Sequence, residues 1–120
     1  NYSDVYRYLI AGDIGVINYK KSYSTIGRSP TKMGEYWACG LPVLCEINTG
    51  DVDYFINKYN NSGYLIDTDD SGSYNTALTK ILSHATNKNE LRDFAMDSFD
   101  LLKGVAIYKI VYDKVLNGKK

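Results

Sequence analysis

Soft metal ligands are scarce in these 120 residues: there is one histidine, His84, and there are two cysteines, Cys39 and Cys45. Both cysteines lie in the apolar run WACGLPVLC, with no histidine or second cysteine pair nearby. A thiolate–imidazole metal shell is thereby excluded, and small core positions are expected for both. Charge of one sign is also missing, because 14 basic residues balance 14 acidic ones. No long-range field steers the chain to nucleic acid, so no nucleic-acid partner is expected. No apolar run approaches the ~18 residues of a membrane-spanning helix, and nothing resembles a secretory signal. A soluble, cytoplasmic protein is expected. Only two prolines occur, and no repeat or low-complexity tract is present.

What is present is a single domain's worth of apolar residues, 44% of the chain. Residues 1–120 are read as one domain with one core. Helical and strand-like patterns alternate along it. Ser3 can cap a first helix bearing Val5, Tyr8 and Leu9, and Gly12 ends it before the β-prone DIGVINY. The polar loop KKSYSTIGRS leads to a short helix, and LPVLCEI follows as a strand buried on both faces. DVDYFINKY reads as helix, NNSG as turn and YLID as a third strand. Apolar stripes at Tyr74, Ala77, Leu78, Ile81, Leu82 and Ala85, then at Leu91, Phe94, Ala95 and Phe99, mark two more helices, and a last one starts near Leu101. Strands separated by such helices form parallel crossovers, so an α/β fold is expected: a Rossmann-like parallel sheet with flanking helices.

The most informative stretch is RSPTKMGEYWACGLPVL, residues 28–44. Proline suits the first position of a helix and serine the cap before it, so the pattern predicts a helix from Pro30, capped by Ser29 and stopped at Gly40. Its leading N–H groups, those of Thr31 and Lys32, point with the positive end of the dipole beyond the carboxyl ends of the strands, where open α/β sheets bind ligands. An anion fits there, and the Lys32 charge and Thr31 hydroxyl make phosphate the economical choice. Glu35 lies four residues beyond Thr31, about 6 Å further along the axis. A carboxylate there repels phosphate but accepts hydrogen bonds from sugar hydroxyls. Phosphate at the tip and ribose at the first turn describe a nucleotide.

The other polar candidates read as structural. DTDDSG, at 67–72, lacks the spacing of a calcium loop and suits a solvated approach to a helix. Asp13 opens a strand, and Asp51 can cap the following helix. His84 sits where it can interact with a helix terminus. Tyr108 and Tyr112, at i and i+4, suit a packing surface, whereas Tyr19 and Tyr23 lie in the loop before the site helix, where a ligand could touch them.

The proline-threonine-lysine, glutamate and alanine-x-glycine-x-proline-valine series, with the earlier VYRYLIAGDIGVIN, the later NSGYLID and the closing FDLLKGVAIYKIVYDKVL, resembles the C-terminal half of group 1 family retaining glycosyltransferases of the GT-B fold. The resemblance implies a donor-nucleotide-binding part of a C-terminal domain, with the N-terminal acceptor domain absent. It implies transfer of a sugar from a nucleoside diphosphate to an acceptor hydroxyl with retention, in polysaccharide or glycolipid assembly. Of the family's two site glutamates, eight positions apart, Glu35 matches the one that bonds ribose, and Gly27 stands where the other would contact the transferred sugar. Amides at the helix start, here Thr31 and Lys32 next to Ser29, hold the diphosphate; Pro30 cannot donate. No catalytic residue is assigned, and neither a cofactor nor a metal is called for beyond the nucleotide-sugar donor itself. The acceptor is a glycan or lipid-linked, reached through the missing domain. The chain is expected to be inactive alone, while the whole enzyme is a hexosyltransferase peripheral to the inner face of the membrane. Nucleotide-sugar epimerase of the same fold and a non-catalytic nucleotide- or phosphate-binding module are the alternatives. In a sheet of order 3-2-1-4-5-6, the first strand here would lose its central neighbour. A homodimer covering that exposed edge is expected.

Overall fold

The computed structural model describes residues 2–118. Three short strands, β1 (Gly15–Ile17), β2 (Val43–Glu46) and β3 (Gly63–Ile66), form one parallel sheet of order β1-β2-β3. Gly15, Val16 and Ile17 pair with Val43, Leu44 and Cys45, and Val43 to Glu46 pair with Gly63 to Ile66. The helices are α1 (Val5–Leu9), α2 (Thr31–Ala38), α3 (Val52–Lys58), α4 (Ser71–Ser83), α5 (Lys88–Ser98) and α6 (Leu101–Leu116). The expected α/β parallel sheet with flanking helices is present. Asp4, not Ser3, takes the N-cap position of α1, where its side chain makes no capping bond.

Alternation along the strands sends side chains to two unequal layers. On one face Ile17, Val43 and Cys45 meet Met33 and Trp37 of α2, Val52 of α3, and Leu91 and Ala95 of α5. Trp37 is wholly buried, its Nε1–H donates to the Ser62 carbonyl at 2.9 Å, and the rings of Phe55, Tyr59, Phe94 and Phe99 stand edge-on around it. On the other face Leu44 and Ile66 meet Ala77 and Ile81 of α4, with Ile14, Tyr64 and Tyr74 packed at the margin. One helix covers the inner strands, so Val16 on β1 remains 52% exposed.

Both ends of α2 carry local signals. At its C-terminus Gly40 adopts φ +76°, with Gly40 N–H donating to Trp37 O and Leu41 N–H to Tyr36 O. That double bond pattern is a Schellman stop, which glycine makes without strain. At its N-terminus the boundary differs from expectation: Pro30 is the N-cap and Thr31 the first helical residue. Ser29 does not cap, because its hydroxyl donates to Asp51 Oδ2 at 2.7 Å. Asp51 in turn stands at the N-cap position of α3 without a side-chain capping bond.

Candidate functional site

In a parallel crossover the helix runs back against its strand, so the start of α2 lies at the end of the sheet where β1, β2 and β3 finish. Three loops meet there: 18–30, 47–51 and 67–70. The approach of the first two is close. Gly50, at φ +56°, lies so near the Arg28 carbonyl that a Cβ built on it would come within 1.4 Å of that oxygen. Only glycine fits both the conformation and the contact.

Three of the expected site residues are brought together on the first turns of α2. Thr31 is exposed, and with Glu35 it lines a cleft of about 450 Å³ closed on its far side by Met96, Phe99 and Leu101. That volume is within the range of small-molecule sites. Glu35 is shared with a second cleft, of about 320 Å³, between α2 and the Val5–Leu9 side of α1. Glu35 therefore stands between two hollows. Lys32 Nζ lies 2.7 Å from Glu35 Oε2, an i,i+3 pair. The lysine and the carboxylate that the sequence pattern assigns to phosphate and ribose thus engage each other.

The other two residues do not join that cleft. Ser29 faces the loop after β2 through its bond to Asp51. Gly27 ends a 3-10 turn, Tyr23–Gly27, and a Cβ there would meet nothing within 4 Å. Arg28, between them, stacks its guanidinium over the Tyr19 ring at 4.6 Å. Tyr23 is almost fully exposed and lines a shallow hollow with Lys21 and Asn48.

A second polar group at the same end of the sheet was not foreseen. Glu46, the last residue of β2, is buried, and its Oε1 accepts from Thr68 N–H at 3.2 Å and from Thr68 Oγ1 at 3.1 Å. Lys21 Nζ lies 3.4 Å from the same oxygen, bonds Asp69 Oδ2 at 2.7 Å, and makes a short hydrogen bond to Asp67 Oδ1. Glu46 Oε2 and Asp51 Oδ1 are buried without a hydrogen-bond partner among the described residues. The Lys21 ammonium, helped by the Asp69 N–H, holds the Asp67 carboxyl below the usual carboxylate range. Asp67, then Asp69, raise the Lys21 pKa in return. The available signal was a glutamate ending an otherwise apolar strand run, since such a charge needs a partner. As expected, the DTDDSG run is a largely exposed approach to α4, and Asp70 caps that helix by accepting from Gly72 N–H at 2.9 Å.

The remaining candidates sort plainly. Cys45 is buried, and burial pushes its thiol up to about 12, while Cys39 is half-exposed with a thiol raised for the same reason. His84 ends α4 with Nδ1 2.8 Å from the Lys80 carbonyl, as expected at a helix terminus. Among the described residues no group of three or more His, Cys, Asp or Glu is arranged to hold a metal ion. No protein-family model, curated protein or solved structure matches the chain.

Proposed function

We propose that this chain is the donor-binding part of a retaining, GT-B-type glycosyltransferase C-terminal domain, holding a nucleoside-diphosphate sugar at the start of α2. One observation carries the reading: Thr31, Lys32 and Glu35 share the first turns of an eight-residue helix at the ligand-binding end of a parallel sheet, beside a cleft of about 450 Å³. The similarity of the PTK, Glu35 and ACGLPV series to that family supports it. Donor binding exchanges partners. The Lys32 ammonium leaves Glu35 for the diphosphate, and the freed carboxylate accepts two ribose hydroxyls. In the whole enzyme the bond between the anomeric carbon and the diphosphate oxygen breaks, and the diphosphate leaves with its electron pair. The acceptor oxygen then bonds the same face of the sugar and its proton passes to the departing phosphate. The dipole of α2 and Lys32 stabilise the charge that develops on the leaving group.

Calorimetric titration with UDP, GDP and ADP tests the reading. At least one binds, and Glu35→Ala weakens it by about ten-fold or more, the value of hydrogen bonds to a charged group. Glu35 is part-exposed, so the variant keeps the parent's melting temperature and a loss of binding is a loss of contact. Equal binding by parent and variant sinks the ribose role, and absence of binding by all three sinks the donor site.

A further inference from the structure

No residue of α6 is buried, although LLKGVAIYKIVYDKVL is among the most apolar segments of the chain. The helix is tied to the body at its first turn: Leu101 lines the cleft beside Phe99, and Lys103 Nζ donates to the Met96 carbonyl at 2.9 Å. Beyond that it projects, and the molecule measures 53 Å along its long axis against 33 and 29 Å across. At 100° per residue all of its large apolar residues except Leu102 and Ile110, namely Leu101, Val105, Ile107, Tyr108, Val111, Tyr112, Val115 and Leu116, fall on one half of the helix. Each is between 52% and 80% exposed. Together they present on the order of 1,000 Å² along about 24 Å of helix, above the ~300–600 Å² of the largest apolar patch on an ordinary monomer. Lys109 flanks this face on one side and Lys114 on the other.

Charge decides what covers it. Residues 101–120 carry five lysines, at 103, 109, 114, 119 and 120, against the single Asp113, a net +4. The whole chain is neutral, so residues 1–100 carry −4. A pairing of two α6 helices, each with three lysines against Asp113, would set +2 against +2 and leave the edges of a half-cylinder face wet, since a two-helix seam is narrower than this. A flat anionic surface with an apolar interior satisfies both features. The broad face sinks into it, tyrosine rings suit the interfacial depth, and lysines on both flanks extend to the headgroups. No helix among the described residues is long and apolar enough to cross a membrane, so α6 would lie on the surface rather than span it.

We propose that α6 is a membrane-docking helix that lies in the surface of an anionic lipid bilayer, its apolar face inserted and its lysines on the headgroups, while the acidic body stays in water. The test is co-sedimentation of the 120-residue chain with vesicles of phosphatidylcholine alone and of phosphatidylcholine mixed with phosphatidylglycerol, at low and high salt. The expected result is binding to the mixed vesicles only, lost at high salt. Val111→Glu with Tyr108→Glu abolishes it. Lys109→Glu with Lys114→Glu weakens it by about 30-fold or more. All four positions are exposed, so thermal melts of both double variants match the parent and keep a binding loss interpretable. Failure to bind the mixed vesicles overturns the proposal. So does binding that survives the apolar-face variant or ignores the lysine variant, and so does a dimer, without vesicle binding, that the apolar-face variant alone converts to monomer.

Discussion

At the scale of single residues, Lys21 bears most of the charge balance at the carboxyl end of the strands. It faces Asp67 and Asp69, 46 and 48 residues away along the chain, and the buried Glu46 at the end of β2. Because Asp67 is held below its ordinary value, its contribution to stability is complete above the unfolded pKa of about 3.9 and is lost as pH falls through the folded value. Lys21 is shifted upward, so its share is complete below about 10.4 and is lost only as pH rises beyond the folded value. Lys21→Met should therefore lower stability at neutral pH and flatten the acid limb. Urea midpoints measured from about pH 2 to 7 should show parent and variant converging as pH falls below about 4, through the depressed folded-state value of Asp67. Curves that stay parallel over that range would show that the lysine is not what depresses Asp67. At neutral pH the loss should be larger than for an exposed ion pair, because it also strands the buried Glu46 carboxylate.

At the scale of elements, α2 joins the core to the candidate site, and Gly34 is where the joint is tightest. A Cβ at Gly34 would lie 2.6 Å from Phe99 Cγ and 2.8 Å from its Cβ. Phe99 cannot retreat, since its ring stands 5.9 Å from Trp37 and 5.1 Å from Phe55. Gly34→Ala gains about 1 kcal/mol of helix propensity, and overpacking costs about 1–3 kcal/mol. The clash should win, with a net loss of up to about 2 kcal/mol by chemical denaturation. Gly27→Ala, at an open position, should change stability by less than about 0.5 kcal/mol. A neutral Gly34→Ala would mean that the α2–Phe99 contact is loose. This element also separates what could be read in the sequence from what could not. Its stop at Gly40, the apolar run of β2 and the stripe Leu91, Ala95 on α5 were legible because propensity and periodicity are local. The Ser29–Asp51 bond and the Lys21 cluster join positions 22 to 48 apart, and no periodicity encodes them. Leu82 and Val16 continue apolar patterns yet face water, because a pattern marks a side and not whether another element covers it.

At the scale of the whole molecule, the sheet is open at β1, and its two faces are unequally covered there. Gly15 and Ile17 point to the layer of α2, where the Tyr36 ring packs against Gly15, while Val16 points to the face that α4 leaves bare. Asp13 and Asn18, at either end, are exposed, and no lysine or proline interrupts the run from Asp13 to Tyr19. Such an edge is a template for another strand. The simplest closed arrangement is a two-fold dimer, in which two β1 strands run antiparallel and the sheet continues across the axis as six strands. With the axis near Val16, the two valines stand opposite each other and their exposed side chains are covered together. Sedimentation velocity at micromolar concentration should therefore show a dimer without vesicles, and Val16→Lys should shift it to monomer, since like charges directly opposite destabilise the pair. The apolar-face variants of α6 should leave this dimer intact, which keeps the edge contact and the membrane helix separable. A monomer at every concentration would mean that β1 is too short, at three residues, to hold a second copy.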